Sequence, residues 1–163
     1  MTENTIPLRP AMFSRAVKAA AVEAIIDDVA SWAKHSPDEI RGDLNSCFDI
    51  DGYSFAKELD DSRSWGDVDA ELVEILDGAT MALSSAHDAA VKAWVIAHGV
   101  TVPYAIGDVV CLRNVPARIV GIRHDTAKVV AQPVKPDGRV YGDEGGWLHP
   151  FEDAKPMPAG DVK

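Results

Sequence analysis

The chain has 163 residues, 47% of them hydrophobic and 26% charged, with a formal net charge of −10. These proportions fit one ordinary globular domain or two small ones and exclude a wholly disordered chain. The two cysteines, Cys47 and Cys111, are too far apart for a C-x-x-C zinc or redox motif, and no run of 18 apolar residues is present to span a membrane. The apolar N-terminal stretch is interrupted by Lys18 and Glu23 and lacks signal-peptide architecture, so the expected setting is the reducing cytoplasm.

Residues 1–10, with Pro7 and Pro10, read as an extended lead-in. From Met12 to Lys34 the apolar residues Phe13, Val17, Ala20, Ala21, Ala24, Ile25, Val29 and Trp32 recur at three- and four-residue spacing, which predicts an amphipathic helix. Ser36-Pro37-Asp38-Glu39 reads as a capping box with proline at the first helical position, opening a short helix with Ile40, Leu44 and Phe48 on one face. A turn at Asp49-Ile50-Asp51-Gly52 leads into another brief helix carrying Phe55 and Leu59. The longest periodic segment runs from Val68 to His98, with Leu72, Leu76, Ala79, Leu83, Ala86, Ala90, Trp94 and Ala97 forming its seam and Gly78 marking a bend.

Gly99 is placed to cap this helix, and residues 99–107 read as a linker. The period then changes to two. Strands are expected at 109–113, 117–122, 128–131, 139–141 and within 145–148, with turns at 114–116, 124–126 and 136–138. Short strands at this density predict a small barrel. The fold class is therefore α+β: a helical N-terminal region of two long helices plus short ones, then a small SH3-like β-barrel. The expected divisions are a helical domain at 11–98, a linker at 99–107, a barrel at 108–152 and a flexible tail at 153–163.

The surplus charge is concentrated. Residues 38–77 hold 13 acidic side chains against Arg41, Lys57 and Arg63, and so account for the whole net charge of −10. Crowded carboxylates favour solubility and attract cationic partners. One reading is a solvated acidic face. The sharper one is a docking surface for a basic protein groove of the kind that holds nucleic acid, made by Asp38, Glu39, Asp43, Asp60, Asp61, Asp67, Asp69, Glu71 and Glu74. Direct nucleic-acid binding by the same residues is disfavoured by their charge.

Catalytic and metal motifs are sparse. Placing Gly52 at the sixth position of a calcium loop puts Asp49, Asp51 and Glu58 at positions three, five and twelve. Cys47 then stands where the first carboxylate is needed, so an acidic turn with a helix cap is the simpler account. His35, His87, His98, His124 and His149 form no close metal pair, and no G-x-S-x-G, phosphate loop or H-E-x-x-H occurs. No cofactor, metal or catalytic residue is assigned. In the β module, Tyr104, Tyr141, Trp147 and Phe151 cluster in sequence, and those not needed in the core would form a recognition patch with Arg118, Arg123 and Arg139, residue types common at binding hot spots.

The segments Gly107-Asp108-Val109-Val110, Ala117-Arg118-Ile119-Val120-Gly121-Ile122 and Trp147-Leu148 resemble an SH3-like or KOW-like small barrel. With its helical segment Asp51-Gly52-Tyr53-Ser54-Phe55-Ala56-Lys57-Glu58-Leu59, the whole chain resembles the small accessory proteins of bacteriophages and prophages, a group that includes anti-CRISPR inhibitors. The resemblance implies a non-enzymatic inhibitor or regulator acting in the host cytoplasm by nucleic-acid mimicry on a basic partner such as a nucleic-acid-binding defence complex, with partner contacts also from Tyr104, Arg118, Arg123, Tyr141 and Trp147. Two alternatives stay open. One is a nucleic-acid-associated module using the barrel, and the other a small metal-dependent enzyme using His124, His149 or the Asp49–Glu58 loop.

Overall fold

The computed structural model describes residues 7–66, 68–135, 139–140 and 145–157. Four helices come first: α1 (Arg15–Ala33), α2 (Pro37–Cys47), α3 (Gly52–Arg63) and α4 (Ala70–His98). Five strands follow: β1 (Val109–Leu112), β2 (Val115–Arg123), β3 (Lys128–Pro133), β4 (Trp147–Pro150) and β5 (Ala154–Pro156), with short 3-10 turns at His124–Thr126 and Phe151–Asp153. The protein is α+β. It divides into two compact units, Leu8–Ala90 and the residues from Val91 onward together with Pro7. The division falls inside α4 rather than at the expected 98/99 boundary.

In the helical unit, the stripe foreseen on α1 is buried at Val17, Ala21, Ile25 and Val29. Ile25 and Val29 pack with Ile40 and Leu44 of α2, Phe55 and Leu59 of α3, and Leu72, Leu76 and Ala79 of α4, and Val17 and Ala21 pack with Leu83 of α4. Burying side chains of this size contributes about 1.5–3 kcal/mol each. The capping box forms as read: the Glu39 carboxylate accepts from the Ser36 backbone N–H at 2.7 Å and from its hydroxyl at 2.8 Å, with Pro37 in the first turn. Asp51 caps α3 through the Ser54 N–H at 2.8 Å. Gly52 is pressed against α4, its N–H donating to Asp77 Oδ1 at 2.9 Å. The bend expected at Gly78 does not interrupt α4, which is helical throughout Ala70–His98.

The second unit is built on a five-stranded antiparallel sheet in the order β4-β3-β2-β1-β5. Its core comprises Val110, Leu112, Ala117, Ile119, Val129, Ala131 and Ala154. Val91, Trp94 and Val95 of α4 pack with Val100 and Ala127. The face of α4 buried here is set by Val91 and Val95, whereas Ala97, expected in the seam, is exposed.

Three expectations change. The β1–β2 turn is the two-residue Arg113-Asn114, both left-handed with φ of 49° and 66°, which matches the twist of a hairpin better than a turn at 114–116. Ala154–Pro156 is not tail but a strand paired with β1, Leu112 lying opposite Ala154. The hydrogen-bonded ladder is an open sheet, not a closed barrel, with β4 and β5 as its edges.

The open sheet is nonetheless curled. Pro150 and Ala154 end and begin the two edge strands, and four residues reach at most about 14 Å. Edge strands of a flat five-stranded sheet lie about 19 Å apart. A register shift between Ile119 and Gly121 leaves Val120 as an extra residue in β2, and such a bulge bends a strand and increases its twist. Of the expected fourth strand, Val140 forms a single bridge to Val134; the turn at 136–138 and Tyr141 lie outside the described residues.

Candidate partner-binding site

The helical unit carries 17 acidic and 7 basic residues, a net charge of −10. The side chains that hold α1, α2, α3 and α4 together at one end draw on this surplus. Trp32 lies in the last turn of α1, after which Lys34 adopts a left-handed φ of 56° and turns the chain into α2. Ser64, with φ 57°, ends α3 in the same way and delivers Trp65. The two indoles stack, with ring centroids 6.4 Å apart and planes inclined by 10°.

Each indole N–H is tied to a carboxylate. Trp65 Nε1 donates to Asp43 Oδ2 at 3.0 Å, and Trp32 Nε1 donates to Asp69 Oδ1 at 3.1 Å. Asp69 Oδ1 also accepts from the Leu72 N–H at 2.9 Å, at the start of α4. Asp60 Oδ1 accepts from the Gly66 N–H at 3.0 Å. Asp43 Oδ1 lies 3.5 Å from Arg63 Nε. A hollow of about 630 Å³ opens beside the tryptophans, bordered by Lys34, His35, Glu39, Asp43 and Arg63.

Of the nine acidic residues expected to meet a partner, five therefore serve the fold as well. Asp38 pairs with Arg41, which also binds Glu23 Oε1 at 2.6 Å. Glu39 closes the capping box, and hydrogen bonds from Ser36 hold its carboxyl below the usual range. Asp43, Asp60 and Asp69 hold indoles, a turn and a helix start. These bonds fix carboxylates in place, and Asp60 and Asp69 use only Oδ1 in them. Asp61, Glu71 and Glu74 are exposed, and Asp67 lies outside the described residues. The structure thus brings Glu39, Asp43 and Asp69 around one tryptophan pair. Sequence reading assigned Trp32 to the core and overlooked Trp65, whose signal was an aromatic residue set between Ser64 and Gly66 inside an acidic run.

The residues expected on the β module are dispersed. Tyr104 is half-buried, and its hydroxyl donates to the Ala154 carbonyl at 2.7 Å, locking β5 in place; burial pushes its phenol up. Arg118 sits mid-strand in β2 opposite Val109 and Gln132. Arg123 ends that strand, exposed. Trp147 is 66% exposed on edge strand β4. Tyr141 and the acidic segment 142–144 lie outside the described residues.

Asp49, proposed as a calcium ligand, accepts from the Asp51 N–H at 3.0 Å, and Asp51 is committed to the α3 cap. Among the described residues, no group of three His, Cys, Asp or Glu is placed to hold a metal ion. His124 begins a 3-10 turn and His149 lies opposite Val129 in β4. Cys47 is buried, and burial pushes its thiol up against the opposing pull of Arg63. Among the described residues, no helix is long and apolar enough to cross a membrane. No protein-family model, curated protein or solved structure matches the chain.

Proposed function

We propose that the protein works by binding, as a non-enzymatic inhibitor or regulator that docks the acidic end of its helical unit onto a basic protein. The observation that carries this reading is the stacked Trp32–Trp65 pair with a carboxylate on each indole N–H. Negative charge at the ring edge strengthens the negative potential over the ring face, which favours an approaching Arg or Lys. Tryptophan is also the side chain most often found to dominate interfaces. Carboxylates fixed by caps and turns lose little freedom when a partner arrives, which supports a preformed surface over a merely solvated one.

The most specific form of the proposal, resting on likeness of type, is a phage-encoded anti-CRISPR-like protein occupying a groove that otherwise holds nucleic acid. The sheet order and the 3-10 turn joining its two edge strands support an SH3-like reading of the second unit. That unit as a nucleic-acid module is less favoured: residues 99–163 carry 8 acidic and 8 basic side chains, leaving little counterion release to gain.

The test uses in-cell cross-linking with the wild-type chain and the triple variant Asp61→Asn, Glu71→Gln, Glu74→Gln, whose altered positions are exposed and outside the caps. A basic protein should cross-link near residues 61–74 of the wild type, with capture reduced about tenfold in the variant, chiefly through a slower on-rate that salt mimics. Equal capture of the same proteins by both baits sinks the reading.

A further inference from the structure

A second recognition element lies wholly within the sheet unit and is independent of the acidic end. Ala131 pairs with Trp147 across β3 and β4, so the two side chains share the inner face of the sheet. Beside them on that face are Leu112 and Ala117. Alanine at 117 and 131 leaves the flank of the indole uncovered. The result is a hollow of about 160 Å³, almost entirely apolar, with Arg113 and His149 at its rim.

The position of Trp147 is imposed by its neighbour. A Cβ on Gly146 would stand 2.8 Å from the Ala131 carbonyl oxygen, so only glycine lets the chain approach β3 closely enough to start β4 there. Val115, 46% exposed, lines the hollow beside the exposed indole. Exposed apolar side chains grouped around a hollow mark interaction sites more often than isolated ones do.

We propose that this hollow takes one aromatic or large aliphatic side chain from an acidic peptide segment, with Arg113 pairing a carboxylate beside it. An apolar cavity of roughly this volume holds a benzene-sized ring. Arg113 occupies the tip of the β1–β2 hairpin and is exposed, on the border of a second hollow that it shares with Glu152 and Asp153. A planar guanidinium there can bind a carboxylate through two parallel N–H donors. A nucleobase fits less well, because its polar edges would be desolvated against alkyl groups with little to replace their hydrogen bonds.

The test follows the Ala117 and Ala131 methyl and Trp147 indole N–H resonances of the full chain by NMR. The probes are acetyl-Phe-Glu-amide, acetyl-Phe-Lys-amide, acetyl-Ala-Glu-amide and uridine 5′-monophosphate. Acetyl-Phe-Glu-amide should shift all three signals saturably in the low millimolar range, and the other two peptides should bind about fivefold more weakly or worse. Arg113→Gln should remove the preference for Glu over Lys while leaving the fold intact. Trp147→Ala, at an exposed position, should lower affinity for both Phe peptides. The proposal is overturned by any one of three results: no shift with acetyl-Phe-Glu-amide up to about 20 mM, equal affinity for the Glu and Lys peptides, or tighter binding of the nucleotide.

Discussion

A methyl group added at Gly52 would clash with Asp77 Oδ1 and stand 2.5 Å from the Val73 carbonyl oxygen. One neighbour is backbone in the first turn of α4 and cannot swing aside. Gly52→Ala should therefore destabilise the helical unit by about 2–4 kcal/mol, read from the midpoint of urea unfolding. Gly78 presents the opposite case. Its added Cβ would meet only Ile25 Cγ2, at an ordinary 3.9 Å, and the residue lies inside an unbroken helix. Gly78→Ala should stabilise by about 0.5–1 kcal/mol, and a neutral or negative change in the same assay would show that α4 needs flexibility there.

Acid titration has a definite sign at two caps. Hydrogen bonds from Ser54 hold the Asp51 carboxyl below the usual aspartate range, and those from Ser36 hold Glu39 below the usual glutamate range. A carboxyl with a depressed folded-state pKa lends stability that is complete above its unfolded value and lost as pH falls through the folded value. Stability should thus decline as pH falls through and below the ordinary carboxylate range, where Glu39 and Asp51 take up protons. The Asp51→Ala, Glu39→Ala double variant should be less stable at neutral pH and show a flatter acid limb in denaturant midpoints recorded against pH.

At the scale of elements, what could be read from the sequence was whatever a local rule decides. The capping box at Ser36–Glu39, the apolar stripe from Val17 to Val29 and the extent of α4 all depend on residues close in sequence, and each is where periodicity and cap chemistry put it. β5 was missed because Ala154-Lys155-Pro156 has no strand pattern of its own; it is extended by pairing with β1 and by the Tyr104 hydroxyl, 50 residues away. The Trp32–Trp65 pair was missed for the same reason, since its partners are brought together by the packing of four helices. Acidic residues were easy to count, but their commitment to caps and indoles was invisible without coordinates. The bulge at Val120 also belongs here. Deleting Val120 should straighten β2, keep the β2–β3 amides protected and abolish protection across β1 and β5, as measured by hydrogen exchange. Retained protection at Cys111 and Lys155 would mean that the curl has another source.

For the molecule as a whole, charge and architecture divide along the chain in the same place. The helical unit holds the entire net charge of −10, whereas residues 99–163 are balanced. Self-repulsion should therefore weaken one unit and not the other. Raising NaCl from about 0.05 M to about 0.5 M shortens the screening length to roughly 4 Å. Hydrogen-exchange protection should then rise for the buried amides of α1–α3 and stay constant for β1–β3. The triple variant at Asp61, Glu71 and Glu74 should show a smaller rise. Equal responses in both units would indicate that the carboxylates are already compensated by their local hydrogen bonds.

The four tryptophans occupy three distinct optical environments. Trp147, largely open to water, should supply the red-shifted emission that iodide or acrylamide extinguishes first, and Trp94, 8% exposed with its Nε1 donating to the Pro7 carbonyl at 3.0 Å, should be shielded. The parallel indoles of Trp32 and Trp65 lie close enough for their excited states to mix, giving a paired circular-dichroism band near the indole absorption that vanishes if either ring is replaced. The chain thus contains its own reporters: a chiral chromophore pair for arrival at the acidic end, and a quenchable fluorophore for arrival at the sheet.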